Sequence, residues 1–161
     1  MPLQRFTSRN KIVMGLAPIL PSTSTPDYVS LKEYDTCYIV IAVLNTTTVT
    51  GSAITVKQAS AVAGTGEKAL AFTKVWQNID CAAADTLAET TVTSNTFTTD
   101  TTNSKQLLYV IEINADMLDR DNGFDCIRAG TADATAAVLS VVYVLGSPRH
   151  AQANPPAAIT D

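Results

Sequence analysis

The chain is built from strand-length runs of β-branched and aromatic residues that recur between turn signals, with no stretch holding a helical period beyond one or two turns. Thr36–Leu44 reads TCYIVIAVL, Lys105–Asn114 reads KQLLYVIEIN and Thr135–Gly146 reads TAAVLSVVYVLG. Val, Ile, Thr and Tyr fit a pleated, packed surface better than a helix. The first run is almost continuously apolar and is bounded by Asp35 and Asn45. That pattern predicts a central strand buried on both faces. KQLLYVIEIN is apolar on both sides too, with Glu112 reaching an edge, a rim or a partner.

The intervening segments are shorter. In Ser52–Ala59 the residues Ile54, Val56 and Gln58 fall on one side and Thr55 and Lys57 on the other, a half-exposed strand. Ala69–Gln77 carries Phe72 and Trp76, expected as core anchors because each aromatic buries about 150 to 250 Å². Asp80–Ala88 permits a turn or two of helix, and the Thr-rich Glu89–Asn103 permits two short strands turning at Asn95. Phe124–Arg128 reads as a short strand with Phe124, Cys126 and Arg128 on one face. About seven or eight strands without long amphipathic helices between them predict an all-β fold, an antiparallel β-sandwich or barrel. A length of 161 residues suits one such domain. The expected plan is an extended N-terminal arm and lead-in over 1–35, a β domain over 36–146 and an irregular tail over 147–161. PILPSTSTP, from Pro18 to Pro26, is too rich in proline to be other than extended or irregular.

Charge narrows the function. The net charge of −4 opposes non-specific nucleic-acid binding, which needs a basic face to displace counterions. Arg5, Arg9 and Lys11 form the one basic cluster, read as a solvated terminus. Only 16% of the residues are charged, against about 25% in typical domains, which suggests that partners cover part of the surface. The apolar stretch Ile12–Leu20 is broken by Gly15 and Pro18 and is too short for a membrane span or a convincing signal peptide. Neither nucleic acid nor membrane is an expected partner.

Residues for chemistry are scarce. Cys37, Cys81 and Cys126 lack a CxxC pair, and one histidine accompanies them, so zinc has neither the ligands nor the spacing. They read as reduced, small apolar residues. Asp116, Asp119, Asp121 and Asp125 depart from calcium-loop spacing: Gly123 falls one place early and the late Glu is missing. A solvated acidic turn is the simpler reading. His150 lies in the expected tail, where a Ser-His-Asp site would lack fixed geometry. Glu89, Glu112 and Asp116 form no evident carboxylate pair, and no phosphate-binding glycine motif occurs. The sequence thus predicts no enzyme, no metal and no cofactor.

The run QLLYVIEINADMLDRDNGFDCIRAG starting at Gln106, LSVVYVLGSPRH starting at Leu139, and Tyr28-Val29-Ser30-Leu31 before the first long strand resemble small structural proteins encoded among the virion genes of long-tailed bacteriophages. That resemblance implies a head or tail component. Within it the expectation is a capsid decoration, or cement, protein, made in the host cytoplasm and bound to the outer surface of the head. Its implied partners are the major capsid protein and further copies of itself, as a dimer or trimer. Ile12, Val13, Ile19, Leu20 and Tyr28 are the expected contacts on the arm. The competing expectation is a glycan-binding or receptor-binding module of the tail tip or fibre, using an aromatic such as Trp76 or Tyr109.

Overall fold

The computed structural model describes residues 5–21, 25–150 and 154–160. Residues 1–4, 22–24, 151–153 and 161, which belong to the expected arm and tail, lie outside the described residues. A single helical turn, α1 (Phe6–Arg9), leads into β1 (Lys11–Ile19). There follow β2 (Val29–Ser30), β3 (Tyr34–Asn45), β4 (Ala53–Ala59), β5 (Lys68–Ala69), β6 (Lys74–Asn78), β7 (Ala88–Thr91), β8 (Thr96–Thr98), β9 (Gln106–Asn114), β10 (Cys126–Gly130) and β11 (Ala137–Pro148). They make two antiparallel sheets. The larger has six strands in the order β1-β11-β3-β9-β6-β7; the smaller has β2-β10-β4-β5, with β8 pairing on β4. The fold is all-β and sandwich-like, without a closed barrel. Among the described residues no helix is long and apolar enough to cross a membrane.

Strand alternation fills the space between the sheets. The larger sheet points Cys37, Ile39, Ile41 and Val43 of β3 inward, with Tyr109, Ile111 and Ile113 of β9 and Leu139, Val141 and Tyr143 of β11, all buried. Ile54 and Val56 of β4 and Ile127 and Ala129 of β10 meet them from the smaller sheet. Tyr143 spans the layers: its hydroxyl accepts the Ala129 N–H at 3.1 Å and donates to the Asp27 carbonyl at 3.0 Å. Burial of such a phenol needs those partners. Gly15 makes room for the ring, since a Cβ there would lie 2.2 Å from the Tyr143 Cε2 atom.

Several expectations change. The stretch read as an arm is largely an edge strand: β1 pairs with β11 from Lys11↔Leu145 to Ile19↔Leu139, with register shifts around Leu16. The open edge of β11 takes this segment up, turning Val13 toward the core and leaving Ile12 and Met14 on the outer side. The C-terminal residues fold back as well. Ala158 is buried, its carbonyl accepts the Ser30 N–H at 2.7 Å, and the Tyr34 hydroxyl donates to the Pro156 carbonyl at 2.5 Å. No helix forms over Asp80–Ala88, where Asn78 Nδ2 donates to the Ala84 carbonyl and an Asp80–Lys105 ion pair closes a loop. The Thr-rich segment does give two short strands, yet β7 joins the larger sheet and β8 the smaller.

Candidate interaction surface

Because side chains alternate across a strand, the residues between the buried ones on the larger sheet all point away from the core. On β3 these are Tyr38, Val40, Ala42 and Leu44, and the register sets each beside a neighbour. Tyr38 lies between Val144 of β11 and Glu112 of β9, and Val40 between Val142 and Val110. Ala42 lies between Ser140 and Leu108, and Leu44 between Val138 and Gln106. The rows extend to Ile12 and Met14 of β1, opposite Val144 and Val142, and to Trp76 of β6, opposite Val110. This outer face is therefore almost wholly apolar.

No element of the described chain lies over it. Met14 keeps 56% of its surface exposed, Ile12 50%, Leu44 48% and Tyr38 39%. The central strand expected to be buried on both faces is thus buried on one. Its apolar run is not accounted for by the domain's own core. Beside Leu44 the face dips into an open hollow of about 460 Å³ lined by Pro18, Ala42, Cys81, Leu108 and Val138. At the opposite end a second hollow of about 310 Å³ runs past Trp76, Lys74, Glu89, Glu112 and Asn114. Trp76, expected in the core, lies half-buried in this outer wall, whereas Phe72 is fully packed inside.

The smaller sheet closes its own outer face. Lys57 and Arg128 are register partners there, and Glu67 comes down from the preceding loop between them. The Glu67 carboxylate accepts from Lys57 Nζ at 2.5 Å, from Arg128 Nη2 at 3.0 Å and from the Tyr28 hydroxyl at 2.7 Å. The Lys57 hydrogen bond, followed by that from Tyr28, holds its pKa below the usual carboxylate value. Arg128 also lies 4.7 Å from the Tyr28 ring centroid. Thr55 and Thr96 share a hydroxyl hydrogen bond at 2.9 Å further along.

These positions sort the five residues expected to make contacts. Ile12 belongs to the open face, and Ile19 and Leu20 are exposed at the far end of β1. Val13 points the other way and packs half-buried against the core. Tyr28 is 5% exposed, clustered with Ala59 and Cys126, so its ring serves its own domain. Sequence reasoning missed Tyr38, Val40, Leu44, Leu108 and Val110 as surface residues. Their signal was present: an antiparallel sheet of this length, in a chain without helices to cover it, leaves one apolar side open.

Among the described residues no group of three or more His, Cys, Asp or Glu side chains is placed to hold a metal. Asp119 is engaged by Lys68 and by Asn122, and the Lys68 hydrogen bond is the main cause of its lowered pKa. His150 is mostly exposed and stands 3.8 Å from Glu33. Cys37 is buried in the sheet, and that burial pushes its thiol pKa upward, away from reactivity.

No protein-family model and no curated protein sequence matches the chain. Among solved structures, the crystal structure of SPBc2 prophage-derived protein YomS is similar, with a TM-score of 0.49 and 12% sequence identity over 86% of this chain and 93% of that one.

Proposed function

We propose that the chain is a non-enzymatic virion structural protein, a capsid decoration protein that binds the outer surface of the head and stabilises contacts between major capsid subunits. The observation that carries this reading is the open apolar face of the larger sheet. A patch of that kind on a rigid sandwich is an assembly surface, since lone soluble domains seldom leave a continuous apolar area of more than a few hundred Å² in water. The resemblance of the Gln106 and Leu139 runs to small phage structural proteins supplies the virion context. The exposed Phe6, Ile19 and Leu20, beside the β1 edge, are the surface offered to the shell. Repetition over a symmetric lattice turns modest contacts of this size into strong attachment.

Gold-labelled antibody on virions of the phage that encodes the chain tests the placement. Label spread over the head is the expected result. Label confined to the tail rejects the decoration role and favours a tail-tip glycan-binding module, the reading that half-buried Trp76, in a hollow it shares with Glu89 and Glu112, supports. Absence of label from the virion rejects both.

A further inference from the structure

The open face has a property that selects its occupant. The outward residues of its three central strands match themselves when the face is turned end for end. Take a two-fold axis lying in the interface, perpendicular to the strands, at the level of Ile41. On β3, Tyr38 then meets Leu44 of the partner subunit and Val40 meets the partner's Ala42. On β11, Val144 meets the partner's Val138, and Val142 the partner's Ser140. On β9, Val110 meets the partner's Leu108. The one charge among these outward residues, Glu112, meets the partner's Gln106, whose amide donates to a carboxylate.

We infer that a second copy of this chain covers the face, sheet against sheet, making a symmetric dimer with a second core between its larger sheets. Unequal pairs fill such a core: Val40 lies against the partner's Ala42 and Val142 against the partner's Ser140, while Val110 and the partner's Leu108 meet as two branched apolar side chains. Tyr38 enters the hollow beside Leu44 and Val138, which is open in the single chain. The size suffices. The fifteen outward residues placed above on these five strands, spaced about 4.8 Å across the strands and about 6.8 Å along them, give a plane of roughly 500 Å² per copy. Two copies hide roughly 1,000 Å² before side-chain relief is counted, the size at which an interface becomes specific. Sheets stacked this way stand about 10 Å apart with strands aligned to within about 30°. The inference rests on reading the face as an assembly surface and is independent of where in the virion the protein sits.

Sedimentation velocity on the full chain tests it. The expected species has twice the 17.1 kDa chain mass. Val40→Glu should give a monomer whose circular dichroism spectrum is unchanged, because Val40 is outside the core. The register is tested by charge. Gln106 and Glu112 lie about 20 Å apart on one strand, too far to interact within a chain. Gln106→Lys should tighten the dimer roughly three- to tenfold at low salt, through two symmetric pairs with Glu112, and lose that gain in a Glu112→Gln background. A wild-type chain that stays monomeric at every concentration, a dimer that survives Val40→Glu, or a Gln106→Lys gain that persists without Glu112 would each overturn the inference. A dimer with the expected coupling, from a protein that labels the tail, supports it while rejecting the capsid placement alone.

Discussion

The two outer faces of the sandwich solve the same problem in opposite ways. Both are the solvent side of an antiparallel sheet whose other side is core. On the smaller sheet, Lys57, Arg128, Glu67 and Tyr28 knit a polar cover from the chain's own residues. On the larger, Val40, Val110, Val142 and their neighbours present carbon to water. The fold accepts either solution, so the difference reflects what each face meets. A face with its cover in place is finished as a monomer, and the open one is the face that the proposed second copy would finish.

The sharpest way to break this comparison lies within β3, where neighbouring residues point to opposite sides. Ile41 is fully buried between the sheets. Ile41→Ala should cost about 2 to 5 kcal/mol, read as a lowered denaturant midpoint. A cost below about 1 kcal/mol would mean that the interior between the sheets is loosely packed and that inside and outside have been assigned wrongly. Gly15→Ala tests the edge strand by the same readout. Its methyl would collide with the Tyr143 ring, and overpacking of this sort costs about 1 to 3 kcal/mol. A neutral result would show β1 to be a loosely attached arm after all.

The covered face gives a smaller effect with a pH signature. Glu67→Gln weakens three charge-assisted or phenolic hydrogen bonds, but the site is partly exposed, so about 0.5 to 1 kcal/mol is expected. The sign follows from the lowered pKa of Glu67. Its stabilisation is fully present above the unfolded value, near 4.3 for glutamate, and fades as the pH falls through the lower folded value. Thermal unfolding should therefore separate wild type from Glu67→Gln at neutral pH and bring them together in acid. A gap that widens in acid would contradict the assigned role.

How much of this was legible depended on whether a segment's pattern could be satisfied locally. The inward set of β4, Ile54, Val56 and Gln58, follows from alternation and is found as expected. The all-β class follows from the spacing of the runs, but the choice of two sheets over a barrel comes from the structure. In contrast, a continuous apolar run states only that both faces avoid water. It does not say whether the second cover comes from the same chain. Tyr28 shows the reverse case: following Pro26-Asp27 it reads as surface, yet Gly64, where a Cβ would lie 3.0 Å from its ring, and Arg128, far away in sequence, pack against it. Trp76 reads as core because large aromatics bury so much surface, and only the register with Val110 and Glu89 fixes its side. The division of the Thr-rich segment between two sheets had no local signal, because threonine suits both.

The smallest predicted effect bears on the comparison most directly. Val40→Thr and Thr55→Val exchange the chemistry of the two outer faces at matched, half-exposed positions on central strands. Both side chains are β-branched and fit a strand equally well. In monomeric chain, each should change the unfolding free energy by no more than about 0.5 kcal/mol, apart from the Thr55–Thr96 hydroxyl bond that the second removes. A fluorescent dye that binds exposed apolar surface would nevertheless report the exchange, falling for Val40→Thr and rising for Thr55→Val. If Val40→Thr instead cost the monomer more than about 1.5 kcal/mol, the apolar face would be part of what folds the chain, and its lack of cover would carry no information about a partner. A near-neutral result has the opposite force. A sheet that would fold as well with threonine outward, yet carries valine, leucine and tyrosine there, has those residues for contacts made after folding.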